Sequence, residues 1–207
     1  GSSENATQSN RPSLSITYTA PTPPALDLNG SGVAGTGYTA AYLENTPVNI
    51  TSSALATVTA GSNGIDTRLT GMTVTITNVQ DTGLESLSAD TSGTSITATV
   101  GNGTLTLSGT DTAANYQKVL RTIQYDNASN NPNTTTRTIQ FVASDAYGGA
   151  GTAVTSSVTI TRVDDAPTIT SNGAGASASV SVMETVTSVT TVAVSYTHLR
   201  AHETSLH

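Results

Sequence analysis

The chain has 207 residues and a formal net charge of −7; 10% of its residues are charged, with no Cys, no Trp, one Phe and a single lysine, Lys118. The absence of Cys excludes disulfides, thiolate metal sites and thiol nucleophiles. An acidic surface with one lysine argues against nucleic acid and against anionic membranes as partners.

Threonine makes up about a fifth of the chain. It is β-branched, so it suits a pleated strand, and its hydroxyl keeps the outer face of a sheet wet without charge. No apolar run approaches the roughly 18 residues of a membrane-spanning helix, so no membrane insertion is expected in this segment. The length gives a prior of one or two domains.

In chain order, "SLSITYTA" (Ser13–Ala20) is the first alternating run, and "GYTAAYL" (Gly37–Leu43) the next. "MTVTITNV" (Met72–Val79), "SITATV" (Ser95–Val100) and "TLTL" (Thr104–Leu107) alternate with period two, the last two separated by Gly101-Asn102-Gly103. That Asn-Gly step is a strong hairpin signal because it tolerates positive φ. "DTAANYQKVLRTI" predicts one short helix, with Asp111 as N-cap and Tyr116, Val119 and Leu120 on one face. "TRTIQFVASD" and "GTAVTSSVTITRV" predict a second hairpin around "AYGGAG". Short strands, Gly/Asn turns and little helix predict an all-β sandwich with one short helix.

A long-period repeat runs through the chain. "SLSITYTAPTPPALDLNG" (Ser13–Gly30) resembles "SVTITRVDDAPTITSNG" (Ser157–Gly173), each a strand, a Pro-containing joint, a short extended piece and Asn-Gly. After each joint an alternating run ends on a glutamate, Glu44 and Glu184. The expected organisation is a slice of a tandem array. Residues 1–24 are the end of a preceding repeat and its linker, 25–166 a complete repeat, and 167–193 the start of the next. Residues 194–207 hold all three histidines, and His198 and His202 have the i, i+4 spacing of a helical zinc pair. "VSYTHLRAHET", however, resembles a translated sequencing adapter, so this tail is set aside from the fold.

The carboxylates admit three readings. General acid/base pairs need a pocket, raised pKa values and usually His or aromatic neighbours. The chain supplies almost none of these before the tail, and nucleophilic catalysis lacks a base, so no enzymatic activity is expected. For isolated acids such as Glu4, Asp81 and Asp90, solvated surface charge suffices. The third reading is calcium, whose six to eight oxygen ligands come from Asp, Glu, Asn and carbonyl groups.

Here the motifs resemble the bacterial cadherin-like repeats of large surface adhesins. "VDDAP" (Val163–Pro167) is similar to the family's interdomain linker, "YLENTPV" to the Glu-Asn closing its first strand, and "VASDAYGG" to its AxDxG motif. The resemblance covers roughly residues 13–193 and rests on the order and spacing of short motifs. It implies an Ig-like/cadherin-like Greek-key β-sandwich with Ca²⁺ at the junctions between repeats. Glu44, Asp164 and Asp165 would serve the downstream junction. Asp145 would serve the upstream one, with Asn63 or Asp66 standing for the family's DxD. Asp111 matches an acid that follows a family strand, and Glu184 would serve a third junction. The chain departs from the pattern upstream, where "APTPPAL" carries no acid, and DxD is not intact near Asp66.

The resemblance implies a structural, adhesive role at an extracellular or bacterial cell-surface location. The expected partners are adjacent repeats of the same chain and cell-surface or matrix ligands. The alternatives are a spacer or accessory domain of a secreted multidomain enzyme, or a carbohydrate-binding module, which the lack of Trp weakens and seven Tyr keep open.

Overall fold

The computed structural model describes residues 14–17, 20–61, 67–147 and 149–165. Among these are eleven strands and one helix: β1 Ala25–Asp27, β2 Tyr38–Leu43, β3 Val48–Asn49, β4 Thr57–Thr59, β5 Arg68–Ile76, β6 Glu85–Ser88, β7 Thr97–Gly101, β8 Thr104–Thr112, α1 Ala113–Leu120, β9 Gln124–Asn127, β10 Arg137–Ser144 and β11 Val154–Thr161. They form a six-stranded sheet in the order β2-β11-β10-β5-β8-β7, a three-stranded sheet β3-β9-β6 and a two-stranded sheet β1-β4. The protein is thus mostly β-sheet with one short helix, as expected for an all-β sandwich.

The alternation of the sequence becomes the inside and outside of the large sheet. In β10, Arg137, Ile139, Phe141 and Ala143 point inward; in β11, Val154, Ser156, Val158 and Ile160 do. In β5 the inward set is Leu69, Met72, Val74 and Ile76, and the change of phase after Leu69 is absorbed by a bulge between Leu69 and Gly71. The extra residue lies on β8, where Ser108 to Asp111 spans one residue more than Leu69 to Gly71 on β5, and such a bulge locally disrupts the ladder. From the smaller sheet, Leu87 and Tyr125 enter the same apolar cluster. Tyr42 of β2 meets Tyr125 edge to face at a centroid distance of 5.3 Å, joining the two sheets.

All neighbouring strands are antiparallel except β2 and β11, which run parallel, with Tyr38 opposite Ser156 and Leu43 opposite Thr161. This parallel pair positions the candidate site, because it brings the ends of the first long strand and the last strand to the same place. Both expected hairpins are present. β7 and β8 close with Gly101 opposite Thr104, and only Gly103 of the turn takes positive φ, at 68°. β10 and β11 are joined through residues 145–153.

Helix α1 follows β8 directly and buries Tyr116, Val119 and Leu120, the three residues expected on its inner face. Its N-cap is Thr112 rather than Asp111: the Thr112 side chain accepts from the Asn115 amide. The residues outside the described set include Asn63 and Asp66, the expected opening of a following repeat with Glu184, and the tail with His198 and His202.

Candidate functional site

Glu44 follows β2 at the end shared with β11. Its backbone N–H donates to the Thr161 carbonyl at 3.0 Å, extending the parallel ladder by one step. Its side chain then turns toward the chain leaving β11, and Oε2 accepts the Val163 amide at 2.9 Å. The sequence alternation makes position 44 an inward one after Tyr42, so the carboxylate is nearly fully enclosed, at 2% exposure. Its second oxygen, Oε1, is buried and has no hydrogen-bond partner. A buried carboxylate oxygen without a partner is costly, because desolvation of the charge is not offset.

The turn after Glu44 is built to hold this geometry. Asn45 takes φ of 62°, a conformation that Asn tolerates better than most residues. Its amide donates to the Tyr42 hydroxyl at 3.2 Å, and that hydroxyl donates to the Asn127 carbonyl at 2.8 Å. The Tyr42 hydroxyl also meets Asp126 Oδ1 at 3.1 Å. Burial raises the Tyr42 pKa above its ordinary value, so the phenol remains a neutral donor.

Beyond Val163, the chain reaches Asp164, which is exposed, and Asp165, which is partly buried. Arg162 fixes the start of this exit segment by donating from Nε to the Pro132 carbonyl at 2.6 Å. The structure therefore brings Glu44 to the mouth of "VDDAP". Ala166 and Pro167 lie outside the described residues. Among the described residues no group of three or more His, Asp or Glu side chains gathers closely enough to hold a metal by itself.

The remaining candidates are elsewhere. Asp145 follows β10, at the opposite end of the sheet from Glu44, and closes the turn into β11. Its Oδ1 accepts the Tyr147 amide at 2.9 Å and the Gly149 amide at 3.1 Å. The incoming chain passes close to this turn: a Cβ on Gly151 would sit 2.2 Å from the Pro24 carbonyl. Asp111 is buried at the base of the helix, where Oδ2 accepts the Ser95 amide and Oδ1 the Thr112 amide and Asn115 Nδ2, each at 2.7 Å. These bonds, led by that from Ser95, hold its pKa below the ordinary carboxylate value. Asp111 acts in the described fold as a latch between the β7 approach and α1. Asp66 lies outside the described residues.

Sequence reasoning missed a second polar centre at the same end as Glu44. Arg137, fully buried, donates from Nε to Glu85 Oε1 at 2.7 Å and from Nη2 to Asp81 Oδ2 at 2.8 Å. Its Nη1 donates to the carbonyls of Asn133 and Thr135. Asp81 also accepts Asn127 Nδ2 and the Asn133 amide, so the loop carrying Pro132 is tied to the core. The signal was present: "TRTIQFVA" places Arg137 on the same face as Ile139 and Phe141, and an arginine there needs acidic partners. The solvated reading of Asp81 is therefore corrected, since Asp81 is one of those partners.

Comparison of the chain with protein-family models, curated proteins and solved structures finds no match.

Proposed function

We propose that this chain is a structural, adhesive repeat of a secreted or cell-surface bacterial adhesin, of the Ig-like, Greek-key cadherin type, in which Ca²⁺ stiffens the joint to the following repeat. The observation that carries the reading is the Glu44 carboxylate. One of its oxygens is bound to the first residue of "VDDAP" and the other is buried with no partner. A cation beside Oε1 would satisfy that oxygen and offset the mutual repulsion of Asp164 and Asp165.

The donor set consists of oxygens alone, which favours calcium over zinc. Glu44, Asp164 and Asp165 would hold the ion from this side. The remaining oxygens must come from the repeat that follows, in keeping with the absence of a complete metal cluster among the described residues. A flexible linker suits the adaptable shell of Ca²⁺ better than the tight octahedron of Mg²⁺. Asp145, at the other end of the sheet, would serve the upstream junction, where the arriving segment "APTPPAL" brings no acid of its own.

Thermal unfolding of this repeat joined to a complete downstream repeat tests the reading. At tenfold excess of calcium over Kd the gain is about 1.4 kcal/mol per site, seen as a rise in melting temperature. Glu44→Ala and Asp165→Ala each remove the rise. A wild-type protein indifferent to millimolar calcium would show that "VDDAP" is only a polar linker.

A further inference from the structure

The large sheet has two edge strands, β2 and β7, and nothing among the described residues pairs with the free side of β7. All five of its residues, Thr97 to Gly101, are exposed. Edge strands ordinarily block further pairing with charge, proline or a bulge. β7 has none of these: its register with β8 is unbroken, and residues 91–110 contain no charged residue in a chain of net charge −7. The hairpin therefore offers a backbone edge with no carboxylate on it in an acidic chain.

The backbone sets which groups are offered. With Gly101 opposite Thr104 across a two-residue turn, the flanking pair exchanges ladder bonds and alternate residues follow. Thr97, Thr99 and Gly101 therefore turn their backbone groups toward β8, and Ala98 and Val100 turn theirs outward. The side chains of Ala98 and Val100 share the face of Leu107 and Leu105, their register partners, which are buried. Val100 nevertheless remains 55% exposed, because the core does not extend beneath the edge.

We infer that β7 is a self-association strand, pairing antiparallel with β7 of a second copy about a two-fold axis at Thr99. Ala98 then exchanges both backbone bonds with Val100 of the partner copy, and Val100 with its Ala98, giving one continuous sheet. Thr99 faces its own symmetry mate as a non-hydrogen-bonded pair, with Cα atoms about 4.5 Å apart. Threonine pairs at such positions are favourable and like charges are not. In a tandem array each repeat would repeat the contact, so a weak single contact gains through multivalency.

Sedimentation of the full 207-residue chain over a concentration series tests this. The wild type should show a monomer–dimer equilibrium. Thr99→Glu, at an exposed position that leaves the β7–β8 ladder intact, should weaken it by roughly fivefold or more. Mixing Thr99→Glu with Thr99→Lys should restore a dimer, which also shows that both variants are folded. A wild type that stays monomeric at the highest soluble concentration, or dimers unaffected by Thr99→Glu, would overturn the inference.

Discussion

Glu44, Asp111 and Arg137 are three buried charged residues with three different settlements. Asp111 has three donors, Arg137 has two carboxylates and two carbonyls, and Glu44 has one amide and an oxygen left over. Removing Arg137 leaves Glu85 and Asp81 without their cation in a closed site. Arg137→Ala should therefore cost about 3–5 kcal/mol in urea denaturation. For Asp111 the sign follows from its folded pKa, which lies below the unfolded value. Its stabilisation is present above the unfolded pKa and is lost as pH falls through the folded one. Asp111→Asn should accordingly melt below wild type at neutral pH, and the gap should narrow in acid as the wild type loses the ionised carboxylate. A gap that stays constant with pH would mean that the charge at position 111 contributes nothing.

At the scale of the element, the long strands and both hairpins were legible because period-two alternation and Gly/Asn turns are local signals. The short pieces were not. β3 has two residues and β1 and β4 three each, too few for any period to emerge, and β6 and β9 have four. Their place is set by packing onto the core, through Leu87 and Tyr125, rather than by their own pattern. β8 runs to Thr112, past the end of "TLTL", because Gly109 at φ 129° passes close to Ser95 and lets Asp111 point inward. Asp111 as N-cap was misplaced by one residue: its carboxylate reaches back to Ser95, and Thr112 takes the capping role. The β7–β8 turn offers a clean test of local geometry. A Cβ at Gly103 would need a left-handed backbone and would lie 2.8 Å from Val79 Cγ2. Gly103→Ala should cost about 1–2 kcal/mol from the backbone conformation alone, measured by urea unfolding.

At the scale of the whole molecule, the parallel pairing of β2 with β11 matters most. It sets Glu44 beside the outgoing chain and leaves Asp145 at the other end, near the incoming one. In the sequence this division shows only as the order of Glu-Asn, "VASDAYGG" and "VDDAP"; the parallel pairing that brings Glu44 to the outgoing chain has no local signal. The Arg137–Asp81–Glu85 centre escaped because its members are more than fifty residues apart in two of three pairings and share no motif. It now accounts for the firmness of the loop that receives Arg162, so the outgoing segment starts from a fixed platform. A stiff joint needs such a platform on at least one side.

Small-angle scattering of the proposed repeat joined to a complete downstream repeat, with and without calcium, addresses the joint most directly. Calcium at millimolar concentration should lengthen the maximum dimension and narrow the distribution of shapes, and Glu44→Ala should leave the scattering curve unchanged by calcium. Identical curves for the wild type in the presence and absence of calcium would contradict the account.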